Sequence, residues 1–131
     1  MPDQKNARYQ DGVKTRRSVL GDAHVNRSDK NKTEFDAPFQ ELITETAWGN
    51  VWNNQNIPTR ERSMITIAIL AALGQEHELA LHLRATANTG ASKEDIREAL
   101  MHVAVYAGVP AANTAFRIAK QTFDEMENGD A

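Results

Sequence analysis

The chain contains no cysteine. That excludes disulfides, thiolate metal sites, cysteine nucleophiles and CxxC redox chemistry, so the fold must hold by packing alone. Aromatic residues are scarce, at 6%. The longest apolar run, Met64 to Leu73, is interrupted by Thr66 and falls well short of the roughly 20 residues that span a bilayer. No membrane span is expected. The N-terminal MPDQKNARYQ is polar and lacks the apolar centre of a signal peptide, which makes the cytoplasm the expected compartment. Net charge is only −3 and is unevenly spread: residues 1–32 hold eight Lys/Arg against four Asp/Glu, whereas the segment after Lys120 is acidic. Scattered cations, few aromatics and an acidic whole speak against nucleic-acid binding.

What is present is an ordinary globular composition, 40% apolar and 25% charged over 131 residues, which predicts a single domain spanning residues 1–131. From Asp3 to Leu20 a polar helix carries a thin apolar stripe of Tyr9, Val13 and Leu20, closed by Gly21. The following GDAHVNRSDKNKT lacks periodicity and reads as an extended connection. Residues 1–32 are thus an N-terminal helix and extended arm, 33–127 a helical core, and 128–131 a loose tail. Phe35, Phe39, Leu42, Ile43 and Thr46 recur at helical spacing, with Pro38 in the first turn, and predict one helix running to Trp48 and Gly49.

The next helix, capped by Thr59, runs through Met64, Ile65, Ile67, Ile69, Leu70 and Leu73 and leaves no polar face. A helix apolar all round must be covered all round, which places it at the centre of the fold or in a subunit interface. Gly74 breaks the run and a second helix, Gln75 to Thr89, completes a helical hairpin. Ser92 and Asp95 have the spacing of a capping box before Ile96, Ala99, Leu100 and Val103. After GVP, Ala112, Ala115, Phe116, Ala119 and Phe123 mark a last helix. With no strand signal, the chain reads all-α with about six helices.

Glu78 and His82 stand at i, i+4 on one face of the hairpin's second helix. Contact with the carboxylate would favour the imidazolium, a proton donor, or would fix the ring as a base. By spacing alone the pair reads first as a half-exposed helix pair contributing about 0.2–0.5 kcal/mol. Arg60 and Arg62 sit at a helix start, against the sign of the dipole, where arginines and free N–H groups together can hold an anion; capping by Glu61 and plain solvent exposure is the simpler alternative. Arg16, Arg17, His24 and Arg27 add cations near the long connection, while His102 and Tyr106 suit a hydrogen-bonded pair. The four histidines lack HExxH or comparable ligand spacing, so no metal is expected.

Taken together, RRSVLGDAHVNRS, AWGNVW, RERSMITIAILAAL, HELALHLRATANTGASKEDIREALMH and YAGVPAANTAF resemble the gamma-carboxymuconolactone decarboxylases of bacterial protocatechuate catabolism. The stretch from RERS onward is also similar to the wider superfamily of AhpD-type alkylhydroperoxidases, while VLGDAHVNRS is more characteristic of the decarboxylases. The resemblance implies an AhpD-like helical fold with a central hairpin, assembled as a homo-hexamer; some relatives are fused to an enol-lactone hydrolase, and no such extension is expected here. Redox relatives carry CxxC and a histidine on the hairpin; here Gln75 and Glu78 take the cysteine places, His82 keeps the histidine place, and their relay glutamate falls near Ser63. Thiol peroxidase activity is thereby excluded.

The implied activity is a carboxy-lyase reaction on a small anionic lactone, giving the beta-ketoadipate enol-lactone and CO2 with no cofactor, because the ring double bond and lactone carbonyl can take up the electrons. The resemblance makes His82 the proton donor or oxyanion stabiliser, Glu78 its orienting group, and Arg60, Arg62, Arg17 and His24 the substrate-binding candidates. A decarboxylase or isomerase of another carboxylated lactone, and a non-catalytic oligomeric binding module, are the alternatives.

Overall fold

The computed structural model describes residues 4–129, and all its regular elements are helical. No strand occurs among the described residues. Asp3, the expected helix start, and the last two residues of the tail lie outside them. Two compact units divide at Pro58 and Thr59, and each is taken by itself.

The N-terminal unit comprises α1 (Gln4–Leu20), α2 (Asp22–Asn31), α3 (Ala37–Ile43) and a π-helical segment, Thr44–Trp52. α1 lies along the π-helical segment with backbones in contact. A Cβ on Gly12 would come within 2.1 Å of the Thr44 carbonyl oxygen, and one on Gly49 within 2.4 Å of the Arg8 carbonyl oxygen. Only glycine permits that approach. Trp48 and Trp52, one turn apart with ring centroids 5.2 Å apart, are buried with Val19 and Val25.

Two expectations need correction here. The connection after Gly21 is not extended: Gly21 turns the chain at φ 90° and α2 follows at once. Its stability does not come from an apolar stripe, since Val25 is its only buried residue. Its contacts to α1 are polar instead: Arg16 donates to the Ser28 hydroxyl at 3.0 Å and Arg17 to Asp22 at 3.0 Å. Periodicity cannot reveal such contacts. Nor is the helix to Gly49 uniform: it changes from α to π geometry at Thr44, where α1 crosses closest, and such widened turns accommodate a local misfit of packing. Phe35, Phe39 and Leu42 of the expected apolar stripe are exposed, Phe35 at 95%.

The C-terminal unit packs α4 (Thr59–Leu73), α5 (Glu76–Thr89), α6 (Lys93–Tyr106) and α7 (Val109–Glu127) around Ile67, Leu79, Leu83, Ile96 and Leu100, each at most 2% exposed. α4 and α5 form the expected hairpin, turned at Gly74 with φ 71°. Gly90 ends α5 in the left-handed conformation that favours glycine. The capping box is present: the Ser92 hydroxyl accepts from the Asp95 N–H at 3.0 Å, and the Asp95 carboxylate accepts from the Ser92 N–H at 2.9 Å. α4 buries Ser63, Ile67 and Ala71. On another face Ile65, Ile69 and Leu73 follow one another at single-turn spacing and remain half exposed or more. No helix of the described residues is long and apolar enough to cross a membrane.

Candidate active site

α5 positions the proton-transfer candidates. Its amphipathic character turns Leu79, His82, Leu83 and Thr86 inward, and His82 is only 8% exposed. Glu78, one turn earlier, is exposed. The two are therefore unlike in environment, the imidazole buried and the carboxylate exposed. Burial keeps bulk water from competing for a proton at that ring.

α4 faces α5 across the hairpin. Ser63 lies eleven residues before Gly74 and His82 eight after it. Antiparallel packing therefore sets them about three residues, or roughly 4.5 Å, apart along the hairpin axis. Ser63 is fully buried and its Oγ has no hydrogen-bond partner. Glu61 Oε2 on the same helix and Glu45 Oε1 in the π-helical segment are likewise buried without a partner. Unsatisfied buried polar atoms are few in native proteins and often mark places where a ligand or water completes the structure. Spacing in the sequence gives no sign of them, because it does not tell which atoms of a polar side chain lose water.

Arg60 is engaged by the protein itself. Its Nε and Nη2 donate to the two Asp95 carboxylate oxygens at 2.7 and 2.5 Å, and Nη1 lies 3.3 Å from Glu61 Oε1. This fork ties the start of α4 to the cap of α6. The Arg60 guanidinium, with the Ser92 N–H, holds the Asp95 carboxyl well below the usual carboxylate range. A carboxyl lowered on folding stabilises the fold above its unfolded pKa of about 3.9, and that contribution is lost as pH falls below that value. Asp95→Asn is accordingly expected to lower the urea midpoint at pH 7 and to differ less from the parent at pH 3. An equal difference at both pH values would contradict the coupling.

Arg62 is half-buried on α4. In the N-terminal unit, Arg17 Nη1 and Nη2 lie 3.0 and 3.5 Å from carboxylate oxygens of Asp22 and Asp29. His24 is half-buried on α2. Arg17 also lines a cavity of about 420 Å³ whose walls come from α1, α2, α3 and the start of the π-helical segment. Thus the structure places Glu78 and His82 on one helix, with Arg60 and Arg62 on the helix packed against it, and Arg17 and His24 in the other unit.

The family model of the carboxymuconolactone decarboxylase family matches residues 37–121. A 4-carboxymuconolactone decarboxylase from Acinetobacter baylyi is 44% identical over 119 residues, covering 91% of this chain and 89% of the relative. A nitrosuccinic acid decarboxylase from Metarhizium robertsii is 38% identical over 118 residues, covering 90% and 82%. A 4-carboxymuconolactone decarboxylase sequence from Pseudomonas putida is 49% identical over 43 residues, which are 33% of this chain and 90% of that sequence.

Proposed function

This chain belongs to the carboxymuconolactone decarboxylase family, and from that premise we propose that it is a carboxy-lyase converting gamma-carboxymuconolactone to the beta-ketoadipate enol-lactone and CO2. The observation that carries this reading is the 44% identity to a decarboxylase of that substrate across nearly the full length of both chains. The buried His82 supports it.

The chemistry follows from the substrate. The bond from the ring carbon to its carboxylate breaks, CO2 leaves, and the electron pair moves through the ring double bond onto the lactone carbonyl oxygen. A proton delivered to the carbon beside that carbonyl then restores the lactone. The protein must hold a dianion, stabilise the transient oxyanion and supply one proton. In this proposal His82 donates the proton or stabilises the oxyanion, and Glu78 orients it. Arg60, Arg62, Arg17 and His24 are the candidates for holding carboxylates; Arg60 is at the same time paired with Asp95. Arg62→Ala is expected to raise KM more than it lowers kcat. An unchanged KM would remove it from substrate binding.

Self-association as a homo-hexamer in the cytoplasm completes the proposal. The face of Ile65, Ile69 and Leu73 on α4, and Met101, Val105, Tyr106 and Val109 elsewhere in the C-terminal unit, leave large apolar side chains at least half exposed in the single chain, as a subunit interface requires. Sedimentation is expected to show a hexamer, and a stable monomer would contradict it.

A second substrate has a specific basis, the 38% identity to a nitrosuccinic acid decarboxylase. Nitrosuccinic acid also bears two carboxylates and an electron sink next to the one that leaves. Comparing kcat/KM for the two compounds tests the assignment: a higher value for the lactone supports it, and a higher value for nitrosuccinic acid overturns it.

A further inference from the structure

We propose that the cavity of the N-terminal unit is a binding site for a small dicarboxylate, built by Arg16, Arg17 and Lys32. The inference deepens the reading above for Arg17 and adds two cations that reading does not use.

The cavity encloses about 420 Å³. It is ample for an acid of four to seven carbons. Its wall carries three cations, Arg16, Arg17 and Lys32, against two carboxylates, Asp29 and Glu41. These charges are not paired off evenly. Arg17 takes up Asp29, at 3.5 Å, together with Asp22. Arg16 donates to the neutral Ser28 hydroxyl, which fixes the direction of the guanidinium without pairing it to a carboxylate among the described residues. Lys32 forms no ion pair among the described residues.

A guanidinium held by one hydrogen bond has donors left for a planar carboxylate, which it can meet with two parallel bonds. Lys32, on the C-terminal side of α2, supplies a point charge for a second anionic group. Val13 and Val25 give the cavity an apolar wall for the carbon skeleton between the two. Two cations on one cavity with apolar surface beside them select for two carboxylates on a short chain or ring over one carboxylate on the same skeleton.

The test uses adipate as a probe, which has no electron sink and is not decarboxylated, so the result stands apart from whether the lactone is turned over. Calorimetry on the full chain at low ionic strength is expected to show one adipate per chain, with hexanoate bound at least about tenfold more weakly, as the loss of one charge-assisted contact implies. Arg16→Gln and Lys32→Gln should each weaken adipate by about tenfold. Lys32→Gln removes only a longer-range attraction to Asp36 and no ion pair among the described residues, so it keeps the test valid if Arg16→Gln unfolds. Competition of adipate with the lactone would identify the cavity as a substrate or product site, and adipate binding without competition would identify a separate dicarboxylate site; both uphold the proposal. No adipate binding, equal binding of hexanoate, or full adipate affinity in the Lys32 variant would overturn it.

Discussion

Replacing His82 by alanine is expected to lower turnover of the lactone by about 10²–10⁴-fold, the range for loss of a positioned proton donor. Burial sets the size of the effect. At 8% exposure on the inner face of α5, the imidazole occupies a place that water does not readily fill, so solvent cannot easily substitute for it. Truncation also removes packing beside Leu79 and Leu83, which makes a second variant useful: His82→Gln keeps much of the volume and a hydrogen-bond donor but cannot deliver a proton at neutral pH. Both variants should lose turnover while retaining the parent's sedimentation behaviour. Near-normal turnover in either would take His82 out of proton transfer. Loss confined to alanine would make it an oxyanion donor instead.

The second large effect concerns stability. Gly12→Ala is expected to destabilise the N-terminal unit by about 3 kcal/mol, the upper end for overpacking, because the added methyl would sit 2.1 Å from a backbone oxygen and 3.0 Å from the Gly49 nitrogen. Neither neighbour is a flexible side-chain end. The crossing of α1 over the π-helical segment must open, and amide exchange across residues 44–52 should quicken, whereas exchange in α6 should not change. A urea midpoint and exchange pattern equal to the parent's would show that the crossing is looser than the contact distance implies.

Much of the C-terminal unit is legible from its residues. Gly74 and Gly90 punctuate it, Ser92 and Asp95 announce α6, and the apolar positions of α6 and α7 keep a helical period, so local rules suffice. The N-terminal unit is less legible for a physical reason. α2 is held by ion pairs and a hydroxyl contact to α1, and the π geometry answers to a close crossing by Gly12. Both depend on contacts between separate helices, which leave no period in the chain.

The same division runs through the site. The i, i+4 placing of Glu78 and His82 follows from the sequence, but their unequal burial does not. Arg60 looks available at a helix start until Asp95, 35 residues on, is seen to occupy it. Arg16, noticed only as one of several cations, becomes informative once its neutral partner Ser28 and the cavity beside it are known.

The most direct measurement is CO2 release from gamma-carboxymuconolactone generated in situ, followed together with loss of the lactone, on the purified protein with a chelator present. The two are expected to proceed at the same rate, one CO2 per lactone consumed, with the chelator changing neither. No acceleration over buffer by the folded protein would contradict this assignment.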